Sequence, residues 1–154
     1  MDMSVALGHN FLFRSLTPAQ RELIARFVTP QWVKTGGVVF EQGAPGDAMY
    51  LIRSGELIVE RDGTELARLE AGYHFGEMAL IDGYPRSATI RAATQVELLE
   101  LRRDAFIDAL HKHPEIAAAV YRNFTWYLSK RLRKTSEVAA YYKDIVETPL
   151  ELED

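Results

Sequence analysis

The chain has 154 residues, 47% of them hydrophobic and none of them cysteine, with a formal charge of −4. That length and composition suit one ordinary domain with its own core and exclude general disorder. Disulfides and thiolate metal sites are impossible, and the acidic balance excludes a generic nucleic-acid binder, whose footprint is basic.

Residues 1–10 include Asp2 and His9 and lack a long apolar core, so they do not read as a secretory signal. No run approaches the roughly 20 apolar residues that span a bilayer. The expectation is a soluble, cytoplasmic protein without membrane contact.

The first predicted element lies in "LTPAQRELIARF". Thr17 can cap a helix, Pro18 suits its first position, and Gln20 can reach back as in a capping box. Leu23, Ile24 and Phe27 then form an apolar stripe. From Gln31 to Leu101 the pattern changes to short runs, among them "VVFEQ", "AMYLIRSG", "ELIVERDGTELARL" and "VELLEL". Glycines at 43, 46, 55, 63, 72, 76 and 83 punctuate them. Asp62-Gly63 between two alternating runs is a hairpin signal. Many short strands between closely spaced turns predict an antiparallel sandwich or barrel.

After Leu101 the chain reads as helical. "RRDAFIDALHKH" would bury Phe106, Ile107 and Leu110, and Pro114 opens a second helix ending near Val146. Within it Leu128, Leu132, Thr135, Ala139, Tyr142 and Val146 follow a 4-3-4-3-4 spacing, a coiled-coil-like seam with one polar member. That seam serves either a homodimer through the C-terminal helix or packing of the helix on its own barrel.

The stretch "FGEMALIDGYPRSATIRA", Phe75 to Ala92, holds one glutamate behind a glycine and one arginine behind a proline. Gly76 lets backbone come close to a ligand. "EMAL" can form one helical turn whose N–H groups, at Met78 and Ala79, point at an anion. Arg86 supplies a planar donor fork suited to phosphate, and Ser87 adds a hydroxyl. A carboxylate at Glu77 beside phosphate is costly unless it accepts hydrogen bonds, and a sugar hydroxyl would supply one. Phosphate on Arg86 and hydroxyl on Glu77 together describe a nucleotide ribose.

This stretch resembles the phosphate-binding cassette of cyclic nucleotide-binding domains, and "GGVVFEQGAPGDAMYLIRSGELIVE" upstream is similar to that family's strands and turns. The likeness runs from about Val33 to Leu101. It implies an α+β fold over 1–154: an antiparallel, jelly-roll-like β-roll over about 30–101, an N-terminal helix, and C-terminal helices over about 103–146. It also implies that Glu77 holds the ribose 2′-hydroxyl. Arg86 would pair with the cyclic phosphate, and backbone N–H groups near Ala79, Ser87 and Ala88 would complete the cradle. Val59, Leu66 and Leu69 fall where apolar side chains line sugar and base. "SKRLRKTSEVA" is similar to the corresponding helix of the catabolite activator protein branch. There the threonine matching Thr135 meets the purine amino group of its own subunit's ligand, and the serine matching Ser136 that of the partner subunit. The arginine matching Arg131 sits by the site glutamate.

The resulting expectation is a stand-alone sensor, not an enzyme, of cyclic AMP with cyclic GMP as the alternative. Binding would move the C-terminal helix and be read by an unidentified effector protein. DNA binding by this chain is not expected, since after Glu147 nothing supplies a recognition helix. Lys130, Arg133 and Lys134 read as a solvated face. "HKHPE" offers three adjacent groups rather than convergent ligands, so no metal is expected. The competing reading is a degenerate cyclic nucleotide-binding fold acting as a ligand-free interaction or dimerisation module.

Overall fold

The computed structural model describes residues 2–141, with side chains to 136 on the last helix. Two short helices come first. Helix α1 (Met3–Gly8) is capped by the Asp2 carboxylate, which accepts from the Ser4 N–H. Helix α2 (Pro18–Ala25) carries the predicted capping box. The Gln20 N–H donates to Thr17 Oγ1 at 3.2 Å, and the Thr17 N–H donates to Gln20 Oε1 at 3.0 Å. Ile24 is buried, and Leu23 and Phe27 pack half-buried beside it.

Eight strands follow: β1 (Val28–Val33), β2 (Val38–Phe40), β3 (Ala48–Ser54), β4 (Glu56–Arg61), β5 (Thr64–Glu70), β6 (His74–Phe75), β7 (Thr89–Ala92) and β8 (Val96–Arg102). They form two four-stranded sheets, ordered β1-β8-β3-β6 and β2-β7-β4-β5, and every pairing is antiparallel. This is the predicted jelly-roll-like roll within an α+β chain. The hairpin between β4 and β5 turns at Asp62 (φ 52°) and Gly63 (φ 77°). Both are left-handed, as a type I′ turn requires.

Strand alternation builds two cores. On β3, Tyr50 and Ile52 face the other sheet, while Met49 faces the helices. On β8, Val96 and Leu98 face inward between the sheets, and Leu99 and Leu101 meet the helical layer. That explains why "VELLEL" is apolar on both parities. The helical layer adds α3 (Arg103–Lys112), which buries Phe106, Ala109 and Leu110. Its other part is α4 (Pro114–Tyr141), which buries Ile116, Val120 and Phe124.

Of the predicted seam, Leu128 packs half-buried against the protein's own core, and Leu132 is exposed. The side chain of Ala139, together with Tyr142, Val146 and the predicted helix end, lies outside the described residues. Among the described residues no helix is long and apolar enough to cross a membrane.

Candidate functional site

A cleft of about 1010 Å³ opens between the β4–β5 hairpin, the segment from β6 to β7, and the middle of α4. Its floor is set by Gly76, whose φ of 74° only a residue without Cβ adopts cheaply. That conformation turns the chain from β6 into a 3₁₀ turn over Glu77–Leu80. A Cβ built on Gly76 would stand 2.7 Å from Arg86 Nη1 and 3.1 Å from the Ala48 carbonyl. The glycine is therefore what lets the turn and the arginine share one wall.

Glu77 is 6% exposed. A buried carboxylate needs charged or hydrogen-bonding partners, and α4 supplies both. Nη1 of Arg131 donates to Glu77 Oε1 at 2.7 Å, and the Tyr127 hydroxyl donates to the same oxygen at 3.1 Å. Burial, reinforced by the Glu77 charge, pushes the Tyr127 hydroxyl up to about 12, so it stays a donor at neutral pH.

Arg86 is 7% exposed, and its guanidinium lies 4.1 Å from the Phe40 ring centroid. Nη2 donates to the Ala48 carbonyl at 2.7 Å and stands 3.6 Å from Asp47 Oδ1. Its Nε has no hydrogen-bond partner among the described residues. Burial holds the guanidinium below its ordinary value, with Tyr50 and Asp47 acting against that. An arginine remains charged regardless. A buried guanidinium on a cleft wall is chemically fit to take an anion.

The sequence profile of the cyclic nucleotide-binding domain matches residues 30–113, more than half of the chain and the part that builds the strand and turn sides of this cleft. The chain belongs to the cyclic nucleotide-binding domain family. It is similar to "Glutaminase 2" of Bradyrhizobium diazoefficiens, 37% identical over 84% of this chain and 21% of that protein. It is also similar to the cAMP-dependent protein kinase regulatory subunit of Emericella nidulans, 39% identical over 62% of this chain and 24% of that protein. Among solved structures, the Thermus thermophilus catabolite activator protein superposes with a TM-score of 0.75 at 32% identity, over 87% of this chain and 63% of that one. The chain thus spans about a fifth to a quarter of these two curated relatives.

Against that family, most of the expected site residues come together. Val59 and Leu69 form the apolar side, and Gly76, Glu77, Met78 and Ala79 the turn. Arg86, Ser87 and Ala88 line the cleft beside that turn, and Arg131 and Thr135 look in from α4. Two expected residues do not join them. Leu66 is 57% exposed and does not line the cleft. The register shows why: Val59 pairs with Ala67 and Glu60 with Glu65, so Leu66 is the extra, unpaired residue of a β-bulge, where the regular alternation of faces is broken. Ser136 is exposed and follows Thr135 about 100° further round α4, away from its own cleft. One expected donor is also engaged, because the Ala79 N–H is held by the Gly76 carbonyl at 3.1 Å.

Sequence reasoning passed over Phe40, His74 and Tyr127 and read Lys134 as part of a solvated face, yet all four line the cleft. For Tyr127 a signal existed: it precedes Arg131 by four residues, which on a helix is the same face. Among the described residues no group of three or more His, Asp or Glu side chains converges as metal ligands would.

Proposed function

We propose that this domain senses a cyclic purine nucleotide, with cyclic AMP the favoured ligand and cyclic GMP its competitor. The observation that carries the reading is the pair of buried opposite charges, Glu77 and Arg86, on one cleft. The cyclic phosphate sits against the Arg86 guanidinium. The ribose 2′-hydroxyl donates to Glu77. Ser87 and Ala88 complete the phosphate cradle, and Val59 and Leu69 cover the sugar and base.

The base reaches α4 at Thr135. The hydroxyl there donates to the Arg131 carbonyl at 2.9 Å, so its remaining capacity is to accept. Adenine presents an amine at C6 where guanine presents an oxygen, which supports the adenine preference. No base is aimed at phosphorus by a pocket of this kind, and the outcome is binding without hydrolysis.

The signal leaves through α4, which carries Tyr127, Arg131 and Thr135. A ligand that engages Glu77 and Thr135 changes what holds that helix. It shifts the equilibrium by its difference in affinity for the two helix positions. The shifted surface is read by an effector protein or by a second copy of the chain, whose Ser136 would then meet the first copy's ligand. The protein is assigned to the cytoplasm, where such nucleotides act.

Calorimetric titration with cyclic AMP and cyclic GMP tests the reading, and no binding of either at millimolar ligand overturns it. Arg86→Ala weakens binding by about 2–4 kcal/mol, because it strands a charged phosphate in a partly buried site. An affinity unchanged by that substitution removes Arg86 from the phosphate.

The ligand-free module remains the second reading, favoured by one observation: Glu77 already has two donors from α4. Thermal unfolding separates the two. A sensor gains about 2.7 kcal/mol at ligand 100-fold above Kd, and a scaffold gains nothing.

A further inference from the structure

Glu77 is held by two side chains of unequal character. Arg131 is more than half exposed, on a long flexible stem, whereas Tyr127 is fixed by its neighbours. The Tyr127 ring stacks on Phe11, from the segment between α1 and α2, with centroids 4.1 Å apart and planes at 24°. Phe11 also lies 4.6 Å from the His74 ring of β6. His74 Nε2 stands 3.3 Å from the Tyr127 hydroxyl oxygen. That hydroxyl has one proton, and it goes to Glu77. The His74 contact must then run the other way, with Nε2–H donating to the tyrosine oxygen. His74, Tyr127 and Glu77 form a directed relay, and Phe11 clamps its two rings.

The relay ends on Oε1, and so does Arg131. Among the described residues no donor is placed on Oε2, whose lone pairs are left for an incoming hydroxyl. A carboxylate fixed in this way loses little rotamer freedom on binding, and such preorganisation appears as affinity.

We propose that Tyr127, seated by Phe11 and His74, is the positioning residue that aims the free oxygen of Glu77 at the ligand's 2′-hydroxyl. The proposal rests on the cyclic nucleotide reading and deepens it, because it names what sets the ribose-recognising group. It follows that part of the site's selectivity for a ribose over a deoxyribose ring is built on α4 and the N-terminal segment, outside the cassette itself.

The test is calorimetry on the full chain with cyclic AMP and 2′-deoxy cyclic AMP, for the native protein and Tyr127→Phe. The substitution keeps the ring and its stack on Phe11 and removes only the oxygen. Cyclic AMP affinity falls by about 3- to 10-fold, less than the full worth of a hydrogen bond to a charged group, because that bond is made before as well as after binding and Arg131 still holds the carboxylate. Affinity for the deoxy ligand, which asks nothing of Glu77, changes less than twofold. It serves as the internal control for folding. An equal loss for both ligands makes Tyr127 merely structural and overturns the proposal, as does no loss for either. If the native protein prefers cyclic AMP over the deoxy ligand and Tyr127→Phe keeps that preference in full, this proposal alone falls. If the native protein binds neither, or both equally, the ribose assignment of Glu77 falls first and takes the proposal with it.

Discussion

His74 shows how one side chain near the cleft ties stability to pH. Burial pulls it below its ordinary value; the Glu77 charge opposes that, and Arg131 adds to it. Below about pH 6.5, the ordinary value, the unfolded chain therefore binds more protons than the folded one. Stability is fully present above that pH and is lost as pH falls from there through the folded value. Urea unfolding at pH 7.5 and 5.5 checks this: His74→Phe narrows the drop in midpoint relative to the native protein. An identical drop in both removes His74 from the linkage. The residue scale is also where the sequence was most legible. Glu77 and Arg86 stood out because buried charges are expensive, so charged types in a frame of small and apolar residues imply a partner. Leu66 was misplaced because apolar type does not announce the β-bulge that leaves it unpaired and exposed. His74 and Tyr127 were passed over because their role comes from contacts with Phe11 and Glu77, far apart in the chain.

At the scale of elements, the 3₁₀ turn depends on a single left-handed residue. Gly76→Ala forces a Cβ into a conformation costing about 1–2 kcal/mol. It also drives that atom to 2.7 Å from Arg86 Nη1. Denaturant unfolding will show a loss of at least that size, and calorimetry a loss of ligand affinity with it; a silent substitution contradicts the account of the cleft wall. Thr17→Ala removes one half of the capping box and costs about 1 kcal/mol with ligand affinity unchanged. Its measurement is the same urea midpoint. Capping boxes, hairpin turns and helix-opening prolines were readable because each is written in a few consecutive residues. Helix α1 was not, since six residues give no apolar period and its hold comes from the Asp2 cap and from burial of Leu7. The long helix was readable by its spacing, yet the spacing alone left open what covers it. Leu128 answers for one seam position by packing on the protein's own core.

For the whole molecule, the order of strands lay beyond sequence patterns. Strand β1 pairs with β8, Val28 opposite Leu101, and no local rule announces a partner at that separation. Antiparallel character and strand number set the class, but the two-sheet order is fixed by which apolar faces find each other. The same long-range closure brings the middle of α4 back over the turn at Glu77. Barrel, N-terminal segment and long helix thus meet at one carboxylate.

The most direct measurement of the central claim is a crystal structure of the chain with cyclic AMP bound. The account predicts phosphate oxygens within about 3 Å of the Arg86 guanidinium and the 2′-hydroxyl at hydrogen-bond distance from Glu77 Oε2. A nucleotide seated elsewhere, or one touching only one of these two side chains, would contradict it.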